Sequence, residues 1–301
     1  MRNKKKTIKL TGGLIFDVFN YMFMFLIVII MAYPMLHVIA MSLSQPGAIT
    51  AGQVSWYPKG FNINGYQYLL KDEELLNAYK NTVIYSFMGT FFTLTFTSLA
   101  AYPLSLSGFV LRKPFTFYLA ITMFFSGGLI PTYLWIKDLR LLNTLWVMVL
   151  PGCISAYTVF VFRSFFQGIP SSLRESAYID GANDVLILYK IILPLSKPLL
   201  ATFFLFTMVE RWNSWFDAMM YLNDKTKHPL QMVLRRLVVL TDPTRSTYAH
   251  GDFAAMVKLG QLHPKNTQMA AVVLAMIPIL CVYPYIQKHF TKGVMIGAIK
   301  G

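Results

Sequence analysis

Glu210, Asn213, Ser214 and Asp217 recur at i, i+3, i+4 and i+7 within a largely apolar stretch, the spacing of one helix face. Trp212, Trp215, Phe216 and Met219 make a neighbouring aromatic face. Such a pairing suits a polyhydroxylated ligand, whose apolar faces stack on indole rings while its hydroxyls take convergent donors and acceptors. A rise of about 1.5 Å per residue from Lys197, at the inner interface, puts Glu210 about 20 Å across a bilayer. A carboxylate that deep costs at least ~2.5 kcal/mol if it faces lipid, so it should face water or a partner. Glu210, Trp212, Asn213, Ser214, Trp215 and Asp217 are therefore a candidate translocation path. A Glu210–Arg211 interaction, or a Trp belt at the outer headgroups, explains the same residues without a ligand.

A second set lies in PSSLRESAYIDGANDVLILYKIILP, Pro170 to Pro194. Ser172 and Glu175 have capping-box spacing and predict a helix start. Gly181 supplies the turn that breaks this helix. Val185, Ile187, Leu188, Ile191 and Ile192 then recur at roughly helical spacing, with Asp184 and Lys190 between them. The stretch reads as two short helices around a glycine. It is either an interfacial pair lying on headgroups or a surface that docks onto something in water.

Chemistry of other kinds is not encoded. There is no G-x-x-x-x-G-K-[ST] to cradle a nucleotide phosphate. Ser126-Gly127-Gly128 sits in an apolar run before Pro131 and predicts a membrane-helix break. Five histidines and two cysteines are scattered without metal-ligand spacing. We expect no catalytic residue, no metal and no cofactor bound by this chain. Cys153 and Cys281, both inside apolar segments, are expected to be buried packing residues.

The elements that position these sets are membrane helices. Of 301 residues, 55% are hydrophobic and 13% charged, with mean hydropathy +0.51, whereas soluble domains carry nearer ~25% charged residues. The formal charge of +14 comes without a nucleic-acid motif, so it reads as topology signal and not as a DNA footprint. The expected fold is all-α and polytopic. Six runs approach the ~20 residues that a ~30 Å core demands: roughly 14–41, 82–108, 115–136, 142–166, 196–219 and 268–287. The first is about twice the length of a signal-peptide core and is read as an uncleaved span.

Lys4-Lys5-Lys6, Arg112-Lys113, Lys288 and Lys292 put both termini on the cytoplasmic side, although the whole-chain Lys/Arg count is nearly balanced. Residues 1–13 are then a cytoplasmic N-terminus, 42–81 an external loop with a short helix around Tyr66–Leu76, 82–287 the core, and 288–301 a cytoplasmic tail. Residues 167–195, between spans four and five, are cytoplasmic. The external connection 220–267 carries Lys225, Lys227, His228, Arg235, Arg236, Arg245, His250 and Lys258. It is either a solvated face or an anion-attracting vestibule that would fit a uronate oligosaccharide.

Glu175-Ser176-Ala177, three residues, Gly181, nine residues and Ile191-x-Leu193-Pro194 resembles the EAA motif of binding-protein-dependent ABC importer permeases. Ser176 stands where that family usually has alanine. GGLIPTYLWIKDLRLLNTLWVMVLPG (127–152), LPLSKPLL (193–200) and WNSWFDAMMYLND (212–224) look like its carbohydrate-uptake branch, and more distantly like the smaller permease of the maltose transporter. The tail GVMIGAIKG (293–301) resembles the family tail. The resemblance implies coupling helices in the cytoplasmic loop, with Glu175, Ser176, Ala177, Asp180, Gly181, Ala182, Leu193 and Pro194 at the ATPase-coupling positions. It also implies a second permease, two cytoplasmic ATPase subunits that use ATP and Mg, an external solute-binding protein and a sugar substrate, in a bacterial cell membrane. The competing expectations are an ion-gradient secondary transporter, which wants mid-membrane charges and repeat-related broken helices, and a membrane enzyme.

Overall fold

The structure is a computed structural model that describes residues 7–238 and 252–298. Lys4-Lys5-Lys6, Arg245, His250 and the last three residues of the tail lie outside these. Sixteen α-helices are present among the described residues, with no strand. In order they are α1 (Thr7–Ser42), α2 (Pro46–Thr50), α3 (Asn64–Leu69), α4 (Glu73–Ser105), α5 (Arg112–Phe124), α6 (Leu129–Asp138), α7 (Trp146–Val149) and α8 (Ala156–Gln167). Then come α9 (Ser171–Ile179), α10 (Asp184–Ile187), α11 (Leu193–Leu195), α12 (Lys197–Trp212), α13 (Phe216–Tyr221), α14 (Leu230–Val238), α15 (Asp252–Lys258) and α16 (Pro264–Ala298).

Among the described residues three helical segments are long and apolar enough to cross a membrane alone: Phe16–Ser42, Glu73–Ser105 and Pro264–Val282. The second begins nine residues before the expected start at 82. Asp72 N-caps α4 by accepting from the Glu74 and Leu75 amides at 2.8 and 3.3 Å, and Glu73 and Glu74 complement the dipole of the first turn. The expected external helix accordingly stops at Leu69.

The other expected spans are broken. The run 115–136 becomes α5 and α6, bent by 120° at Phe125–Gly128, where Gly128 has φ 83° and no L side chain sits easily. The run 142–166 becomes α7 and α8, parted by Pro151-Gly152 with Gly152 at φ 74°. The run 196–219 ends as a helix at Trp212 and restarts at Phe216. Six straight crossings are therefore not what the apolar runs build.

The chain divides into two compact units. The first holds residues up to Lys71 and Leu237–Leu274. Here Asn266 donates to the carbonyls of Met41, Ser42 and Ser44 at 3.0, 2.8 and 3.2 Å, satisfying orphan acceptors at the end of α1. The Ser42 hydroxyl meets the Tyr66 phenol at 2.6 Å, and Tyr68 packs on Phe253. Upstream of this clasp, α1 exposes Phe16, Phe19, Phe25 and Met31 on all sides, as a lipid- or subunit-facing helix would.

The second unit, Asp72–Arg236 with the chain from Ala275, carries both candidate sites. Its axis is α4, which buries a stripe of small residues, Thr82, Ser86, Gly89, Thr90, Thr93 and Thr97. Small residues let membrane helices approach closely, and α4 packs against α12 and α8. At Gly89 a Cβ would lie 3.1 Å from Nε of Arg211, so the glycine makes room for that side chain. Arg211 donates to the carbonyls of Met148 and Pro151 at 3.1 and 3.0 Å, capping the end of α7. It does not pair with Glu210, which is exposed. Cys153 is buried as expected, its thiol on the Val149 carbonyl, but Cys281 is exposed on α16.

Candidate coupling segment and translocation surface

The segment 170–195 is built around a helix C-cap. Gly181 has φ 81° and ends α9. Its amide bonds the Tyr178 carbonyl at 3.0 Å, and the Ala182 amide bonds the Ala177 carbonyl at 2.9 Å. These two bonds define a Schellman motif, which expects an apolar contact between the residue after the glycine and the one five before it. Ala177 is buried in the core cluster and Ala182 packs against the same cluster. The alanine, glycine and alanine at 177, 181 and 182 are thus one structural device.

The capping box does not form. Pro170 occupies the N-cap of α9 without a side-chain bond, and Ser172 lies inside the helix. Proline is the better first-turn neighbour because its missing N–H costs nothing there. The side-chain cap appears at the second helix, where Asn183 accepts from the Leu186 amide at 2.8 Å. A π-turn, Leu188–Ile192, then precedes Pro194, and the Ser196 hydroxyl bonds the Ile192 carbonyl at 2.7 Å. Widened turns of this kind absorb the carbonyl that a proline cannot satisfy.

One side of the segment is mounted on the helices. Ala177, Ile187, Leu188 and Ile192 are buried with Tyr102 of α4 and Phe162 and Phe166 of α8. Asp184 accepts from the Tyr102 phenol at 3.1 Å and from the Tyr178 phenol at 2.6 Å. That carboxylate bond, with burial second, holds the Tyr178 phenol above its ordinary pKa. The other side is bare: Ile179 is 87% exposed and Val185 62%, with Tyr178, Leu186 and Tyr189 around them. Glu175, Ser176, Asp180 and Pro194 are exposed as well, and Leu193 is half-buried against the core. The segment thus has a packed base and an exposed apolar crest flanked by acids.

The second candidate set is only partly brought together. The helix face drawn through positions 210 to 217 is interrupted, because α12 ends at Trp212. The Asn213 amide bonds back to the Val209 carbonyl at 2.9 Å, the competition with the helix ladder that short amides offer. Trp212 is a packing residue: it is 2% exposed, its indole donates to the Ala275 carbonyl at 3.2 Å, and Tyr79 meets its ring edge-on.

Asn213 is exposed, Ser214, Trp215 and Asp217 are half-buried, and Ser214 lies 3.5 Å from Asp217. Two residues of α14 join them. The Arg235 guanidinium stacks 3.9 Å from the Trp215 ring centre and reaches the Met219 sulfur, while Gln231 donates to the Asn213 side chain at 3.1 Å. Gln231 escaped the sequence reading, since only the amphipathic spacing of 230–238 pointed to it.

Two cations of the basic connection are paired. Arg236 pairs with Glu74, and Lys227 with Asp224 and the Asn143 carbonyl. His228 is buried against the Leu222 carbonyl. Asn81 and Tyr85 bond the backbone of 226–228, fixing this connection to α4. Asn143 keeps a left-handed φ of 57° by trading its amide to Tyr221 and its side-chain oxygen to the Asp224 amide. What remains is one surface of aromatic, amide, carboxylate and guanidinium groups around Trp215 and Arg235.

A family described as "Binding-protein-dependent transport system inner membrane component" matches residues 2–296. The polygalacturonan/rhamnogalacturonan transport system permease protein YtcP of Bacillus subtilis (strain 168) is 40% identical over 95% of this chain and 99% of its own. Protein LplC of the same organism is 38% identical over 96% of each chain. A solved bacterial ABC transporter involved in the import of the acidic polysaccharide alginate is similar in structure. Its TM-score is 0.87 at 32% identity, covering 93% of this chain and 98% of that one.

Proposed function

The chain belongs to the binding-protein-dependent transport system inner membrane components, the membrane-embedded permeases of ABC carbohydrate importers, and from that premise we propose that it couples ATP hydrolysis in partner subunits to oligosaccharide uptake through the segment 170–194. The observation that carries the reading is the one-sided burial of that segment. Its base is continuous with the core of α4 and α8, while Ile179, Val185 and Leu186 are exposed. A force applied to the crest is transmitted to the helices as a rigid-body movement, because close-packed cores shift and do not deform.

In this reading residues 167–195 and both termini are cytoplasmic, and 82–287 form half of the translocation path beside a second permease. Two ATPase subunits, using ATP and Mg, take the crest. An external binding protein delivers the sugar. No cofactor is held by this chain. The substrate class is an acidic oligosaccharide such as a uronate: Arg235 supplies the cation, Trp215 the stacking ring, and Asn213, Ser214 and Gln231 the hydroxyl partners. The polygalacturonan/rhamnogalacturonan and alginate transporters it resembles point the same way.

The test is ATPase activity in proteoliposomes holding the assembled transporter and its binding protein, with neutral and uronate oligosaccharides compared. Stimulation by the uronate alone is expected. Stimulation by neutral sugars would keep the importer and reject the acidic substrate. Uptake that follows an imposed ion gradient and ignores ATP would replace the coupling reading by that of a secondary carrier.

A further inference from the structure

A basic groove of about 800 Å³ lies where the short turn after α4 enters α5, lined by Ser107, Phe109, Arg112, Lys113, Thr116 and Arg163 among others. Arg112 and Lys113 occupy the first turn of α5, which has no acidic residue and no side-chain cap. Cations there sit against the positive end of the helix dipole, where the Arg112 amide bonds the Phe109 carbonyl at 3.1 Å and Pro114 has no N–H. Arg163 reaches across from α8 and is held by a 3.0 Å bond to the Thr116 hydroxyl. No carboxylate lines the groove. Among the described residues the ion pairs are Lys227–Asp224 and Arg236–Glu74, so none of these three cations is paired. Three cations without a carboxylate partner and the Ser107 hydroxyl, lining one space, make a receptor for a phosphate-type anion.

The walls indicate its source. Val110 is 89% exposed and Phe117 69%, both on the groove, so the anion's surroundings are apolar. Phe109, on the groove wall, packs on the same core cluster as Ala177, which puts the groove at the membrane end that carries the coupling segment. We propose that this groove binds the phosphodiester of an anionic phospholipid, with the acyl chains along Val110 and Phe117. Basic pockets between helices on the cytoplasmic side are the sites where such headgroups lodge. The proposal does not depend on which sugar is carried.

The experiment is lipid retention by the assembled transporter in mixed micelles of phosphatidylglycerol and phosphatidylcholine, read by mass spectrometry. Phosphatidylglycerol should be enriched, and Lys113→Gln, a change to an exposed side chain, should lower the enrichment about five-fold. Arg112→Gln with Arg163→Gln added should abolish it, while Arg163→Lys should retain most of it. Equal retention of the two lipids, or enrichment unchanged in the triple variant, would overturn the site. Stabilisation by inorganic phosphate that the triple variant loses, with neither lipid enriched, would keep the anion site and reject the lipid as its source.

Discussion

Tyr178 donates to Asp184 at 2.6 Å across the turn made by Gly181, and so closes the coupling segment on itself. Tyr102 of α4 adds a second donor to the same oxygen at 3.1 Å, so one carboxylate ties the segment to a membrane helix. Asp184→Ala removes the acceptor of both phenols. A hydrogen bond to a charged group contributes ~1.5–3 kcal/mol when shielded and less in water, so we expect folding and insertion to persist while uptake per ATP hydrolysed falls several-fold. The sign of the pH effect follows from the raised Tyr178 pKa. The contribution is complete below the ordinary phenol value of about 10 and is lost as pH rises through the higher folded value. In the segment that pairs with this carboxylate, the absorbance change of tyrosinate should begin at lower pH in Asp184→Asn than in the parent chain.

Gly181 stands in open space, with no atom within 4 Å of the position a Cβ would take. Any effect of a side chain there is therefore backbone strain, about 1–2 kcal/mol for an L-residue at positive φ. Gly181→Asn should couple nearly normally because asparagine tolerates this conformation. Gly181→Val and Gly181→Arg should insert and assemble yet import poorly. Normal uptake by the valine variant would remove the turn from the coupling path.

Gly89→Leu tests the room left for Arg211. The new side chain would displace a guanidinium that caps Met148 and Pro151. Overpacking costs about 1–3 kcal/mol, and the two carbonyls lose their donor in addition. A clear drop in detergent Tm is expected, with strong non-additivity when Arg211→Met is combined, since the two residues occupy one site.

His263 precedes α16, and its Nδ1 accepts from the Lys265 amide at 3.1 Å. Burial, and then the neighbouring Lys265, lower its pKa. The stabilisation is present above about pH 6.5, the unfolded value, and is lost as pH falls through the lower folded value. Thermal melts of His263→Asn, which can still accept that bond but does not titrate, should lose the acid-side drop.

What could be read from the chain alone follows physical locality. The first span, the Gly127-Gly128 break and the turn at Gly181 were legible, because hydrophobic length and glycine conformations are local properties. The Ser172 cap was misread since Pro170 competes for the same turn. The face from Glu210 to Asp217 failed because Asn213 bonds its own helix, a choice that periodicity does not register. Arg235 meeting Trp215 and Asn143 receiving Asp224 are contacts across 20 and 81 residues, and no spacing rule reaches that far.

The clasp on α1 has a consequence for synthesis. Asn266 follows Met41 by 225 residues, so at about 5–20 residues per second the ribosome needs roughly 10–45 s to supply it. For that interval the carbonyls at the end of the first helix await their donor. The last helix to emerge thus fastens the first, and a nascent chain truncated before residue 266 should leave its leading helix open to quality-control proteolysis in the membrane.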